Sequence, residues 1–358
     1  MKPSVTLCIV NFNGSHYLPP ALEAAQPHAQ FDEILVIDNA SRDGSVELLR
    51  NRFPHCRVLQ LESNRGPGGA RNAGLAAAQC DWILFQDNDV RLTPGCVSTL
   101  VQALQDSPDA LLVAPRVLYA DDRARVQYDS ADCHWLGLMM PRNANRLAAL
   151  TEVRAAATSS LVTACFLIDR TRCQTPLQFD ERFGFNLEDH DFGVRACLEG
   201  HALLIEPHAQ VLHSSGTPGL SFRPGAVVPA ARVYYLIRNR WYVLTKVFAL
   251  RTLAVLAPVL LLYEFAQLLG ALYKGWGRSW GAALRDYFRE WPRLLQERRD
   301  VQSSRRIGDA RLLKGGPLPM TAAVNSALLE RLLLGALQGI VSTYWLAARP
   351  LLKSAGNR

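Results

Sequence analysis

Between Val5 and Ala114 the chain alternates short, nearly continuous apolar runs with helix-like segments, and this alternation restricts the fold more than any other feature. The runs are Val5–Val10, Ile34–Ile37, Arg57–Leu61, Trp82–Phe85 and Leu111–Ala114. The helical patterns lie around Tyr17–Ala25, Val46–Arg50, Ala70–Ala78 and Pro94–Leu104. Strands that are apolar on both faces and separated by helices belong in a parallel sheet covered on both sides. The expected class is therefore α/β, a mainly parallel sheet flanked by helices, and such sheets bind ligands at the carboxyl ends of their strands. Local turn chemistry agrees: Asn13-Gly14 and Asp43-Gly44-Ser45 follow strands, and Thr93-Pro94 reads as the N-cap and first residue of a helix.

At 358 residues the chain exceeds a typical single domain, and two regions are expected, 1–230 and 231–358. A hydrophobic share of 49% with 20% charged residues excludes a mainly disordered chain. The stretch from Ala120 to Ser160 is irregular and reads as acceptor-side loops and helices, before a strand-like Leu161–Ile168. Ser214 to Pro229, rich in Gly, Pro and Ser, reads as a linker or lid. Eight scattered cysteines without a Cys-x-x-Cys pair indicate neither a zinc site nor a disulfide framework. Met1-Lys2-Pro3 runs straight into the first strand, so no signal peptide is expected.

In Phe85-Gln86-Asp87-Asn88-Asp89 two carboxylates stand two apart where an apolar strand ends, and strand alternation turns them to one side. Oxygen-seeking Mg²⁺ or Mn²⁺ commonly joins one or two such carboxylates to a substrate's phosphates. Alone, the pair reads more simply as a strand end capping the helix near Pro94. Upstream, Asp38-Asn39 closes the second strand, and Asn64-Arg65-Gly66-Pro67-Gly68-Gly69-Ala70-Arg71-Asn72 opens a helix whose free N–H groups could face an anion. Downstream, Glu188, Asp189 and Asp191 would fill the first turn of a helix running to Glu199, where acids also favour the helix dipole. His213 follows a short strand, a position that a packed histidine would equally occupy.

The succession of these blocks resembles the family 2 glycosyltransferases, which have the GT-A nucleotide-sugar-binding fold, over roughly Val5 to Lys246. The resemblance implies donor contacts from Val10, Asn11, Asn13, Asp38, Asn64, Gly66, Arg71, Asn72 and Asp87. It further implies a divalent cation, Mg²⁺ or Mn²⁺, at Asp87, Asp89 and His213, with Asp189 as the base that activates the acceptor hydroxyl and Glu188 and Asp191 beside the acceptor. Within that family the chain resembles bacterial rhamnosyltransferase-like enzymes of cell-envelope polysaccharide synthesis, which implies inversion and a saccharide or lipid-linked acceptor. The strand end Val10-Asn11-Phe12-Asn13 departs from the commoner Pro-Thr-Tyr-Asn and leaves the donor nucleotide open. Ile237 stands where the Gln-x-x-Arg-Trp signature of processive synthases has its Gln, so Arg238-Asn239-Arg240-Trp241 argues against processivity. A sugar nucleotidyltransferase would carry its glycine-rich loop after the first strand, not the third. A non-catalytic scaffold of the same fold would not need Asp87, Asp89 and Asp189.

The net charge of +7 could suit nucleic acid, anionic lipid or phosphorylated substrates, and the location of the charge decides between them. The basic excess lies between Lys274 and Met320, where the apolar spacing of Leu284, Tyr287, Phe288, Trp291, Leu294 and Leu295 suggests a helix lying in a lipid interface. Phe248–Tyr273 and Leu332–Ala348 are apolar, the former interrupted by Arg251, Pro258 and Glu264. The expectation is a helical, membrane-associating C-terminal region, peripheral or monotopic on the cytoplasmic face of the membrane, with a membrane surface and no nucleic acid as partner. The same stripes would also serve a homo-oligomer.

Overall fold

The computed structural model describes residues 3–28, 30–173, 178–214, 229–319 and 328–353. The chain divides into two compact units: Met1–Ala131, Pro141–Ala196 and His201–Gly216 in the first, Asp132–Met140, Cys197–Gly200 and Thr217–Arg358 in the second. Two short segments ahead of residue 217 thus join the second unit, which a division at residue 230 does not anticipate. Of the stretch read as a linker or lid, only Ser214 and Pro229 are among the described residues.

The first unit is built on strands β1 (Val5–Asn11), β2 (Phe31–Asp38), β3 (Arg57–Gln60), β4 (Trp82–Asp87), β5 (Val90–Leu92), β6 (Ala110–Tyr119) and β7 (Val126–Tyr128). After a two-stranded ladder of β8 (Ala131–Cys133) and β9 (Met139–Pro141) come β10 (Ala156–Thr158), β11 (Cys165–Asp169) and β12 (Ala202–His213). The main sheet runs β10-β12-β6-β11-β4-β1-β2-β3, with β5 on β12 and β7 on β6. β1 to β4 are mutually parallel, as expected, but β11 runs against both β4 and β6, so the sheet is mixed. A parallel neighbour needs a helical crossover. β11 is instead reached through the irregular residues after β7, and the strand expected from Leu161 begins only at Cys165.

Helices α1 (Leu18–Ala25), α2 (Ser45–Arg52), α3 (Gly66–Ala77) and α4 (Cys96–Gln105) connect the first strands, and α5 (Glu188–Leu198) precedes β12. Every residue of β1 is buried, and Leu7, Ile9, Val36, Leu84, Val97, Leu100 and Val113 belong to one core. Each such side chain removed from water contributes about 1.5–3 kcal/mol before entropy is counted. One helix boundary differs from expectation. Gly95 at φ 79° precedes α4, and Thr93 does not cap it, because the Thr93 hydroxyl donates to the Gln210 carbonyl at 2.7 Å. α3 lies so close to the sheet that a Cβ at Gly74 would meet Cys8 Sγ at 2.6 Å and Phe85 at 2.9 Å, both in the core. Gly74→Ala should therefore destabilise the protein by about 1–3 kcal/mol despite its better helix propensity. A thermal midpoint at or above that of the parent protein would contradict this packing.

The second unit contains α6 (Ala230–Val247), α7 (Leu250–Tyr273), α8 (Gly277–Ser303), α9 (Asp309–Leu312) and α10 (Leu328–Lys353). The carbonyls that end α6 would lack partners, and α8 supplies them. Arg298 donates to Thr245 and Phe248, Gln302 to Lys246 and Val247, and Arg305 to Val247. The apolar stripe of α8 is spent largely on this packing. Leu294 is buried, the Tyr287 ring lies 5.4 Å from Trp241, and its hydroxyl bonds with Thr245 at 2.7 Å. The lipid-facing reading of that stripe thus keeps only Phe288 and Trp291, which are exposed.

Candidate functional site

Parallel register sets the site. Asn11 stands opposite Asp38 in β2, and Val10 opposite Asp87 in β4, so the polar residues that end three strands share one edge of the sheet. Asn11 is fully buried, donates to Asp38 Oδ1 at 2.8 Å and accepts from Asn88 Nδ2 at 2.8 Å. Asn88 approaches so closely that a Cβ on Gly14 would lie 2.0 Å from its Nδ2. Val10 carries the same turn through its carbonyl, which accepts from Asn88 N–H at 3.2 Å. Asn13, at φ 50°, accepts from Arg42 N–H. Several residues expected to touch the donor are thus engaged in shaping the strand ends.

Asn64 and Gly66 form a turn that sequence reasoning assigned to the donor. The residue that holds it, Asn39, went unnoticed as a site residue. The Asn39 amide donates to Asn64 Oδ1 and the Gly66 carbonyl, both at 3.0 Å, and its oxygen accepts from Arg65 N–H. Asn72 does not face outward either. Its side chain pairs with both the N–H and C=O of Phe179, at 2.8 and 2.9 Å, and donates to Glu181. It fastens α3 to the segment leading into α5.

Arg71, 1% exposed, reaches from α3 to Asp87 Oδ1 at 2.5 Å and to the Thr163 carbonyl at 2.9 Å. Burial pushes Asp87 up to about 6, against the pull of Arg71 and with Asp89 adding to the rise; His213 and Asp189 act on it as well. Those interactions bring β4, α5 and the end of β12 together around one point. Asp89 Oδ1 lies 3.3 Å from His213 Nε2, because β12 and β5 pair His213 with Val90. On its other side His213 Nδ1 is 2.7 Å from Gln127 Oε1. With that oxygen as acceptor, Nδ1 carries a hydrogen, and Nε2 faces the Asp89 carboxylate, with which it shares a proton that a metal would displace; the Gln127 contact is the kind that orients an imidazole for a metal. Burial disfavours the imidazolium, but Asp89 outweighs it and holds His213 above its usual range.

The three-residue metal set Asp87, Asp89 and His213 is not assembled. Among the described residues no group of three or more His, Cys, Asp or Glu is gathered for a metal. The physical reason is Arg71, which claims Asp87 as its counter-ion. Asp89 and His213 remain as a pair, one oxygen and one nitrogen donor, which fits a divalent cation whose other positions are filled by water and phosphate oxygens.

α5 opens the acidic side of the site. Glu188 and Asp189 are 6% and 8% exposed. Asp189 accepts from the N–H groups of His190, at 2.8 Å, and Thr163, and burial still raises it above the usual carboxylate range. Asp191 is fully buried and bonded to Arg195 at 2.7 Å, so it braces the helix and does not open onto an acceptor as expected. His190, also buried, bonds through Nδ1 to Ser160 Oγ at 2.7 Å and is pushed down to about 4 by burial, which keeps it neutral. Tyr128 on β7 feels Asp87, Asp89 and Asp189, and burial first, then those charges, hold its phenol far above its ordinary value. Gln127 and Tyr128 lie in the irregular stretch where no periodicity marks them.

Glu188 gives the site a pH signature. Burial and Asp189 push it from 4.5 up to about 8, so the folded chain holds that proton more tightly than the unfolded chain. Its contribution to stability is fully present below pH 4.5 and is lost as pH rises through about 8. The thermal midpoint of the metal-free, donor-free protein should fall across this window. Asp87 has its own midpoint near 6 and the raised His213 loses its proton in the same window, so Glu188→Gln should lessen the decline toward pH 8 without abolishing it. An unchanged decline in that variant would refute the assignment.

Residues 6–164 match the family model described as glycosyl transferase family 2. The chain is 33% identical over 102 residues to the succinoglycan biosynthesis protein ExoO of Rhizobium meliloti, covering 28% of this chain and 29% of that one. It is 29% identical over 202 residues to the N-acetylglucosaminyl-diphospho-decaprenol L-rhamnosyltransferase of Mycobacterium tuberculosis, covering 50% of this chain and 66% of the relative. In both cases the match spans less than two thirds of the relative. Among solved structures, GalNAc-T7 with UDP, GalNAc and Mn²⁺ superposes with a TM-score of 0.55 at 15% identity, over 72% of this chain and 51% of that one. S. aureus TarS 1–349 gives 0.51 at 16% identity, over 84% and 87%. These likenesses establish the GT-A-like fold.

Proposed function

We propose, from the premise that this chain is a family 2 glycosyltransferase through its residues 6–164, that it moves a sugar from a nucleoside-diphosphate donor to a hydroxyl of a saccharide acceptor with inversion. The observation that carries this reading is the convergence of Arg71, Asp87, Asp89, Asp189 and His213 at the carboxyl ends of the strands. Asp89 and His213 would hold a divalent cation, Mg²⁺ or Mn²⁺, whose chemistry is to neutralise charge on the departing nucleoside diphosphate. Asp87 pairs with the buried Arg71 and so ties the end of β4 to α3.

Inversion needs one displacement. The acceptor oxygen attacks the anomeric carbon, the bond to the diphosphate breaks, and the acceptor proton passes to Asp189. Burial raises Asp189, which makes its carboxylate a better proton acceptor than that of an ordinary aspartate. Glu188 keeps its proton at neutral pH and can donate to an acceptor hydroxyl. The succinoglycan protein and the decaprenol-linked rhamnosyltransferase support an envelope polysaccharide and a lipid-linked acceptor.

The test is a panel of nucleotide sugars with Mg²⁺ or Mn²⁺, scored for donor hydrolysis. One donor should be hydrolysed, EDTA should stop the reaction, and Mn²⁺ should restore it. Hydrolysis indifferent to EDTA would overturn the cation, and failure to bind or hydrolyse any nucleotide sugar would overturn the transferase reading.

A further inference from the structure

We infer that the exposed faces of α7 and α10 dock the protein on a phospholipid surface, lying in one leaflet without crossing it. Here the structure moves the attachment surface from α8, where the sequence suggested it, to a pair of helices that each show two different sides.

α7 and α10 run antiparallel: Arg251 of α7 donates to the Leu351 carbonyl near the end of α10, and Lys274 after α7 pairs with Glu330 at the start of α10 at 2.5 Å. Between these ends the Tyr344 hydroxyl donates to the Val255 carbonyl. One side of α7, marked by Thr252, Leu256, Val259 and Tyr263, is buried within the unit. The other side presents Leu261, Phe265, Leu269 and Leu272, each between 51% and 69% exposed. On α10 Leu332, Leu333, Ile340 and Leu346 are exposed between 53% and 72%. So many large aliphatic groups on two adjoining helices exceed the scattered apolar residues of an ordinary surface.

Charge decides the occupant. Of the two charges that interrupt the apolar run of α7, Glu264 pairs with the buried Arg240 of α6 and leaves this face, whereas Arg251, itself exposed, stands in the first turn and donates to the Leu351 carbonyl of α10. Beyond its first turn the exposed side of α7 is therefore free of charge, as a surface in contact with acyl chains requires, and Arg251 at its end is placed to reach the headgroups. In the same unit Arg278, Arg285, Arg289, Arg293 and Arg299 of α8 are exposed, which suits anionic headgroups. α7 is long and apolar enough to cross a bilayer. Crossing would carry Arg240 and Glu264, joined near its middle, and the polar α6 that holds them into the hydrocarbon. Lying flat leaves that pair on the wet side.

Flotation of the full chain with phosphatidylcholine vesicles, with and without one third phosphatidylglycerol, tests the inference without any assay of activity. The protein should float, more strongly with the anionic lipid. The triple variant L261E/F265E/L269E, and independently L332E/I340E on α10, should lose at least tenfold in vesicle partition while keeping the parent's circular dichroism and urea midpoint. A folded triple variant that floats like the parent would overturn the assignment. So would a parent that stays in the soluble fraction as a dimer that the same substitutions dissociate.

Discussion

Asp189→Asn should lower turnover by about three orders of magnitude while donor affinity stays within twofold. Removal of a positioned general base costs typically 10²–10⁴-fold. The asparagine keeps the shape of the side chain and an oxygen that can accept from His190 and Thr163 N–H, so the first turn of α5 should hold its place. Lost is only the group that can take the acceptor's proton. Stability should not fall, because one of two buried neighbouring acids becomes neutral. Calorimetric titration with nucleoside diphosphate and a steady-state assay measure the two quantities separately. Turnover within tenfold of the parent would remove Asp189 from the chemistry, and a parallel loss of donor binding would give it a structural role.

The second large effect separates two aspartates that sequence treats alike. Asp87→Ala leaves the Arg71 guanidinium, 1% exposed, with the Thr163 carbonyl as its remaining hydrogen-bond partner, since Nε and Nη1 have none among the described residues. Removing one member of a buried ion pair strands the other, and the expected loss is about 3 kcal/mol, read from urea unfolding. Asp89→Ala removes an acid that crowds Asp87, and should change stability by less than about 1 kcal/mol while reducing turnover by about two orders of magnitude or more. If the two variants were equally stable, the division between counter-ion and metal ligand would fail.

That division marks the limit of what was legible. The strand ends at Asn11, Asp38 and Asp87 could be read because each closes an apolar run, and parallel register then carries them to one edge. Asp189 could be read from its place at a helix start after the family's earlier blocks. Asn39, Gln127 and Ser160 could not, because each acts through hydrogen bonds to residues distant in sequence and lies in no periodic pattern. Asn72 and Asp191 were visible but misdirected: their polarity suggested ligand contact, whereas the bonds of Asn72 to Phe179 and Glu181, and of the buried Asp191 to Arg195, engage both in the protein's own frame. The stripe of α8 was also real, and it faces α6 because that helix needs partners for its last carbonyls. The antiparallel β11 escaped notice because a strand's direction leaves no trace in its own residues.

The Asn72 side chain, bonded to both backbone groups of Phe179, has a kinetic consequence. It ties the helix that bears Arg71 to the segment from which α5 starts, so whatever a donor does to α3 is transmitted to Glu188 and Asp189. Two ligands that bias one mechanical element alter each other's affinity by the same factor. Each substrate would then raise the other's affinity, so that the acceptor's KM falls as donor concentration rises, and in an Asn72→Ala enzyme that dependence would weaken.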